Sequence, residues 1–105
     1  MYRPLEGIRI LTIEQYGAGP YGTQLLAALG ADVIKIENPE SGGDSSRAAG
    51  PYYLGEADSQ FFQTFNRGKR SVALDLKDVK GRAKFEALVK TADAVANNLR
   101  GDLPA

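Results

Sequence analysis

Three stretches of the chain carry residue types that could do chemistry. The first is Gly17-Ala18-Gly19-Pro20-Tyr21-Gly22, which satisfies the spacing G-x-G-x-x-G. Its glycines permit backbone angles that a Cβ forbids and leave a surface clear of side chains. Pro20 suits the first turn of a helix, where its missing N–H is no loss. A helix start after a buried strand offers free N–H groups and a positive dipole end to a phosphate or carboxylate. The second stretch is Asn66-Arg67-Gly68-Lys69-Arg70-Ser71, with three cations in four residues. It reads either as a cationic grip on phosphate, with Arg for bidentate contacts and Lys as a point charge, or as a solvated turn. The third set is Lys77, just past Leu74-Asp75-Leu76, together with Asn97 and Asn98. Lys77 is a candidate ligand cation, although Asp75 and Asp78 there also serve as helix caps. The two asparagines either bond a ligand or tie off a strand.

Composition removes several classes of function. The 105 residues make one domain at most, with 43% apolar and 25% charged residues. That is ordinary for a globular protein. Thirteen Lys plus Arg balance thirteen Asp plus Glu, so no global field recruits nucleic acid or an anionic membrane. With no Cys there are no disulfides or thiolate sites, and with no His the commonest metal ligand and general base are missing. A metal site is not expected. The N-terminal residues lack the apolar run of a signal peptide, and no stretch approaches the ~18 apolar residues of a membrane span. A cytoplasmic location follows as the expectation.

The elements that must position these residues alternate. Ile8, Ile10, Leu11 and Ile13 form a short buried strand. Residues 20–29 read as a helix with Leu25, Leu26 and Leu29 on its apolar face, stopped by Gly30. Residues 31–37 read as a second strand with Val33, Ile34 and Ile36 inward. Residues 38–56 have turn formers throughout and read as a long surface loop. Residues 57–65 read as a short helix capped by Asp58 or Ser59, with Phe61, Phe62 and Phe65 along one face. A third strand is expected over 71–76. An amphipathic helix should follow over 78–91, with Val79, Ala83, Leu88 and Val89 inward and Phe85 at the margin. A fourth strand is expected over 94–98. Strand, helix and strand with short joints make βαβ units, so the fold class is α/β with a mostly parallel sheet. Nothing after the fourth strand closes a domain, and the chain reads as the front portion of something longer.

The motifs at 14–22, 37–38, 74–77 and 97–99 all follow predicted parallel strands. Ligands of open α/β sheets bind along that edge, so one shared site is expected there. One occupant is NAD or FAD, held by Gly17 to Gly22 with Glu37 as the ribose-binding acid. Against this, Glu14-Gln15-Tyr16 separates the strand from the first glycine, whereas in the dinucleotide fingerprint that glycine follows the strand directly.

A second occupant comes from a resemblance. Pro4-Leu5-Glu6-Gly7-Ile8-Arg9-Ile10-Leu11, Ala18-Gly19-Pro20 and Leu29-Gly30-Ala31-Asp32-Val33-Ile34-Lys35-Ile36-Glu37 resemble the start of class III CoA-transferases. This is the CaiB/BaiF family, which includes formyl-CoA transferase and α-methylacyl-CoA racemase. The likeness continues through Asn66 to Lys77, Ala92 to Val95 and Asn98-Leu99-Arg100-Gly101.

The resemblance implies that residues 1–105 are the N-terminal part of a large Rossmann-like CoA-binding domain. It implies an enzyme that moves CoA from an acyl-CoA to a carboxylic acid acceptor through aspartyl-CoA anhydrides, with a racemase as the sibling activity. Tyr16, Gly17 and Ala18 would lie against the CoA. Asn38 stands where relatives often carry an Arg for the nucleotide phosphates, with Arg47 a candidate to replace it. Leu74 and Lys77 would hold the adenine and ribose-phosphate region. Asn98 and Leu99 would flank the pantetheine arm, Leu99 replacing the family's Phe. None of Asp32, Asp44, Asp58, Asp75, Asp78, Asp93 or Asp102 matches the context of the nucleophilic Asp, so no catalytic residue is expected in this chain. The family also implies an interlocked homodimer.

Overall fold

The computed structural model describes residues 2–99; Arg100, Gly101 and Asp102 lie outside them. Four parallel strands form the sheet. They are β1 (Arg9–Ile13), β2 (Asp32–Glu37), β5 (Arg70–Ala73) and β6 (Ala94–Asn97), in the order β5-β2-β1-β6. The first strand in sequence thus lies inside, with the second and third to one side and the fourth to the other. This is the order of one half of a doubly wound fold. Its connections are α1 (Ala18–Ala28), α2 (Gln60–Phe65) and α3 (Val79–Val89). A small antiparallel pair, β3 (Tyr53–Gly55) with β4 (Asp58–Ser59), precedes α2. Among the described residues no helix is long and apolar enough to cross a membrane.

Alternation along the inner strands builds two cores. Leu11 and Ile34, Ile36 and Leu74 point to one face, where Phe85 and Leu88 of α3 cover them. Ile10 and Val33 point to the other face, under Leu26 and Ala27 of α1. Burying each such side chain stabilises the fold by about 1.5–3 kcal/mol. On the α1 face the pattern then changes. Thr12, Lys35 and Glu37, nearer the carboxyl edge, are as buried as the apolar residues behind them.

Several expectations need correction. Residues 38–56 are not one irregular loop: 3₁₀ turns span Pro39–Ser41 and Ser45–Ala48, and β3 lies at the end. The expected helix over 57–65 starts only at Gln60, because residues 58 and 59 pair with β3 and the Ser59 hydroxyl caps the Phe62 N–H. The third strand ends at Ala73 and the fourth at Asn97. On α1, Leu25 and Leu29 are exposed, since the helix meets the sheet through Leu26 and Ala27. On α3, Val79, Ala83 and Val89 are exposed, while Phe85 and Leu88 turn inward.

Gly81 sets the phase of α3. It is buried, and a Cβ built there would lie 2.1 Å from the Asp75 carbonyl oxygen. Gly81, Phe85, Leu88 and Ala92 then recur at helical spacing along the face toward the sheet. Gly81→Ala should therefore destabilise the protein by about 1–3 kcal/mol through overpacking. The same exchange at an unhindered helix position would stabilise by about 0.5–1 kcal/mol. Urea unfolding separates the two outcomes by sign.

Candidate functional site

The carboxyl edge of the sheet carries a cleft of about 270 Å³. Its floor is apolar, from Ile13, Ile36, Leu74 and Leu76, and its rim is polar, from Gln15, Asn38 and Lys77, with Leu99 closing one end. Four of the eight residues expected at a shared site thus line it: Asn38, Leu74, Lys77 and Leu99. Leu74 is in the core, and its N–H continues the strand by donating to the Glu37 carbonyl at 2.9 Å. Lys77 is exposed, and its ammonium forms no salt bridge among the described residues. The Asn38 side chain accepts the Glu40 N–H at 2.9 Å and starts the following 3₁₀ turn.

The other four residues surround Gln15 without lining the cleft. Asn98 spends both ends of its amide on the backbone of one residue: Oδ1 accepts the Gln15 N–H at 3.1 Å, and Nδ2 donates to the Gln15 carbonyl at 2.9 Å. Of the two readings of Asn98, strand tie-off describes its contacts. Gly17 is the N-cap of α1 and Ala18 its first residue. Tyr16, exposed and with φ of 71°, lays its ring 4.7 Å from that of Phe61.

Behind the cleft lies a buried ionic network that the sequence did not reveal. Lys35 Nζ binds the Asp44 carboxylate, donates to Asn66 Oδ1 at 2.8 Å and lies 3.6 Å from Glu14 Oε2. Glu14 accepts from Thr12 Oγ1 at 2.6 Å, Thr23 Oγ1 at 2.7 Å and Lys69 Nζ at 2.6 Å. Lys69 also donates to the Pro20 carbonyl. Burial pulls the Lys69 pKa below its usual range, with Glu14 opposing the shift. Among the described residues no buried side-chain polar atom lacks a partner.

The cationic stretch is partly spent on internal contacts, and neither of its two readings describes all of it. Asn66 and Lys69 point inward, Arg70 pairs with Asp32 at 2.7 Å, and Arg67 alone stays exposed without an ion pair among the described residues. Two further sequence signals resolve the same way. Glu37 accepts a forked pair from Arg47, at 2.8 Å to each oxygen, together with the Ser71 hydroxyl and the Asp44 N–H. Both oxygens are committed, leaving none for a ribose. Arg47 is likewise spent on Glu37, with its guanidinium 3.9 Å over the Phe62 ring, and does not line the cleft. Gly19 and Gly22 lie inside α1. Gly19 is needed for packing, since a Cβ there would meet Asn98 Cγ at 2.9 Å.

Glu37 gives a pH dependence. Burial raises its pKa, but the bonds from Arg47, Ser71 and the Asp44 amide outweigh it and hold the pKa at about 2, from an ordinary 4.5. A carboxylate with a depressed folded pKa stabilises above its unfolded pKa, and this contribution is lost as pH falls through the folded one. Stability should thus decline between about pH 4.5 and 2. Glu37→Gln should be less stable than the parent at pH 7 and decline less steeply across that window, read by urea midpoints at several pH values.

With this geometry in place, likeness to known proteins is informative. Residues 5–105 match CoA-transferase family III. The chain is 47% identical over 104 residues to a succinate–glutarate CoA-transferase of Agrobacterium fabrum, covering 94% of this chain and 26% of that protein. It is 46% identical over 99 residues to a succinyl-CoA:mesaconate CoA-transferase of Haloarcula hispanica, covering 91% and 24%. Among solved structures, a CaiB/BaiF family protein from Brucella suis superposes with a TM-score of 0.85 at 40% identity, covering 95% of this chain and 27% of that one. The chain spans about a quarter of the length of these relatives. Profile, identity and fold agree over nearly all of its residues, and the chain belongs to CoA-transferase family III.

Proposed function

We propose that this chain supplies the N-terminal, nucleoside-binding part of the CoA site in a longer enzyme, one that moves CoA from an acyl-CoA to a carboxylic acid. The observation that carries this reading is the cleft at the sheet edge. An apolar floor suits a purine ring, and the unpaired Lys77 ammonium at the rim suits a phosphate. At about 270 Å³ it takes the nucleoside end of CoA rather than the whole molecule. Leu74, Lys77 and Asn38 would contact the nucleotide. Leu99 would face the pantetheine arm, and Asn98 and the Tyr16 to Ala18 turn would frame the approach.

The nucleophilic Asp of an aspartyl-CoA anhydride route is assigned to none of the residues above. Three of the carboxylates lining the cleft, Glu14, Glu37 and Asp44, have their oxygens committed to internal donors, and the fourth, Asp75, accepts the Lys77 N–H. The homodimer rests on the family likeness and the cytoplasmic location on composition; both belong to the same proposal. The dinucleotide alternative loses support because Glu37 is fully engaged and two of its three glycines sit within α1.

Thermal unfolding of the protein with CoA, NAD and FAD tests the reading. CoA at ~100 times its dissociation constant should add about 2.7 kcal/mol of stability, and the dinucleotides should add none. A shift with NAD or FAD instead would favour the glycine fingerprint. Lys77→Ala should weaken CoA binding by about 1.5–3 kcal/mol, the worth of a hydrogen bond to a charged group, with the melting temperature of the free protein unchanged. Equal affinity in calorimetric titration would remove Lys77 from the site.

A further inference from the structure

Among the described residues Tyr16 is one of two non-glycine residues with positive φ, at 71°. A side chain with a Cβ resists that conformation, so something must hold it. The adjoining Gln15 is fixed to β6 by Asn98, and its side chain accepts the Ser45 N–H at 3.3 Å. Tyr16 itself is held by its own N–H, which donates to Asp44 Oδ1 at 3.0 Å.

Asp44 is a well-built anchor. Its residue is 2% exposed. Oδ1 also accepts the Ser46 N–H at 2.8 Å and the Ser46 hydroxyl at 2.9 Å, and Oδ2 binds Lys35. Its own N–H donates to Glu37 Oε1 at 2.8 Å. Strand β2 and the 3₁₀ turn thus fix the carboxylate by contacts independent of Tyr16. Gln15, the residue before Tyr16, forms part of the cleft rim.

We propose that Asp44 is a positioning residue for the cleft: its buried carboxylate holds the Tyr16 peptide left-handed and so lays Gln15 along the rim. The consequence for binding rests on the cleft being the CoA site. Asp44 then acts on affinity through the turn, even though no ligand atom need touch it.

The test combines hydrogen exchange with a mutant cycle. In the parent protein the Tyr16 amide should exchange about 10- to 100-fold more slowly than in an unstructured chain, as a hydrogen bond to a charged acceptor would give, although the residue is 54% exposed. Exchange at the unstructured rate would overturn the proposal, and this measurement needs no variant to fold. In Asp44→Asn the single amide oxygen goes to the Lys35 ammonium, which leaves a donor facing the Tyr16 N–H. CoA affinity should fall about tenfold, the order of one charge-assisted hydrogen bond. Tyr16→Gly takes the left-handed conformation freely, so in that background Asp44→Asn should cost no more than about twofold. Equal losses in the two backgrounds would mean that Asp44 touches the ligand or supports only the fold, and would sink the proposal. A parent protein that ignores CoA overturns the cleft reading instead, and the Tyr16 exchange rate then decides alone whether Asp44 holds the turn.

Discussion

Lys35 is the charge on which the carboxyl end of the sheet depends. It sits on a central strand at 1% exposure, where an unpaired ammonium would be severely destabilising. Asp44, Asn66 and Glu14 answer it, and Glu14 in turn engages Thr12, Thr23 and Lys69. One buried charge thereby ties together β1, α1, β2, the 38–49 segment and the turn before β5. Well-packed apolar residues often match such a network in stability, while removing one partner costs about 3–5 kcal/mol. What the ions add is direction. An apolar patch would let the 38–49 segment slide, whereas a carboxylate with four donors has one place to be.

Legibility in the sequence followed the range of the interaction. The strands and their parallel direction were readable, because Ile10, Leu11, Val33, Ile34 and Ile36 form contiguous apolar runs and short joints restrict the connections. The network was not. Lys35 stands within an apolar strand, where alternation alone allows a solvated position, and its partners Asp44 and Asn66 are nine and 31 residues away. Lys69 and Glu14 are separated by 55 residues. A lysine flanked by Ile34 and Ile36, in a strand buried on both faces, was the available signal. The phase of α3 was missed for a related reason. Gly81 carries no hydrophobicity, yet its contact with Asp75 decides which residues face the sheet.

The glycine turn illustrates how residues that fit a motif's spacing can serve the packing of the fold. Gly17, Gly19 and Gly22 satisfy a phosphate-binding spacing, but in the fold the first two have different places and Gly22 lies within α1 with open space around it. Gly17 starts α1, and Gly19 makes room for Asn98, which crosses from β6 to bond the Gln15 backbone. The extra residues Glu14, Gln15 and Tyr16 have their own tasks: one is buried against two lysines, one is clamped by Asn98, and one is turned left-handed against Asp44. The departure from the dinucleotide spacing is thus where the construction of this site lies.

The cleft and the network belong to one design because they share a wall. Glu14, Glu37 and Asp44 border the cleft from behind, and each is pinned by donors from a different part of the chain. The part of the cleft wall that these three carboxylates form has its polar groups already satisfied, so binding there need not order them, and less affinity is lost to conformational entropy. The same satisfaction removes these carboxylates from chemistry. Acids committed to Arg47, Lys35 and Lys69 are poor bases and poor nucleophiles. On the proposed reading the edge holds and orients a ligand, with Lys77 as a cation on its rim, and these three carboxylates are not the source of a reacting group.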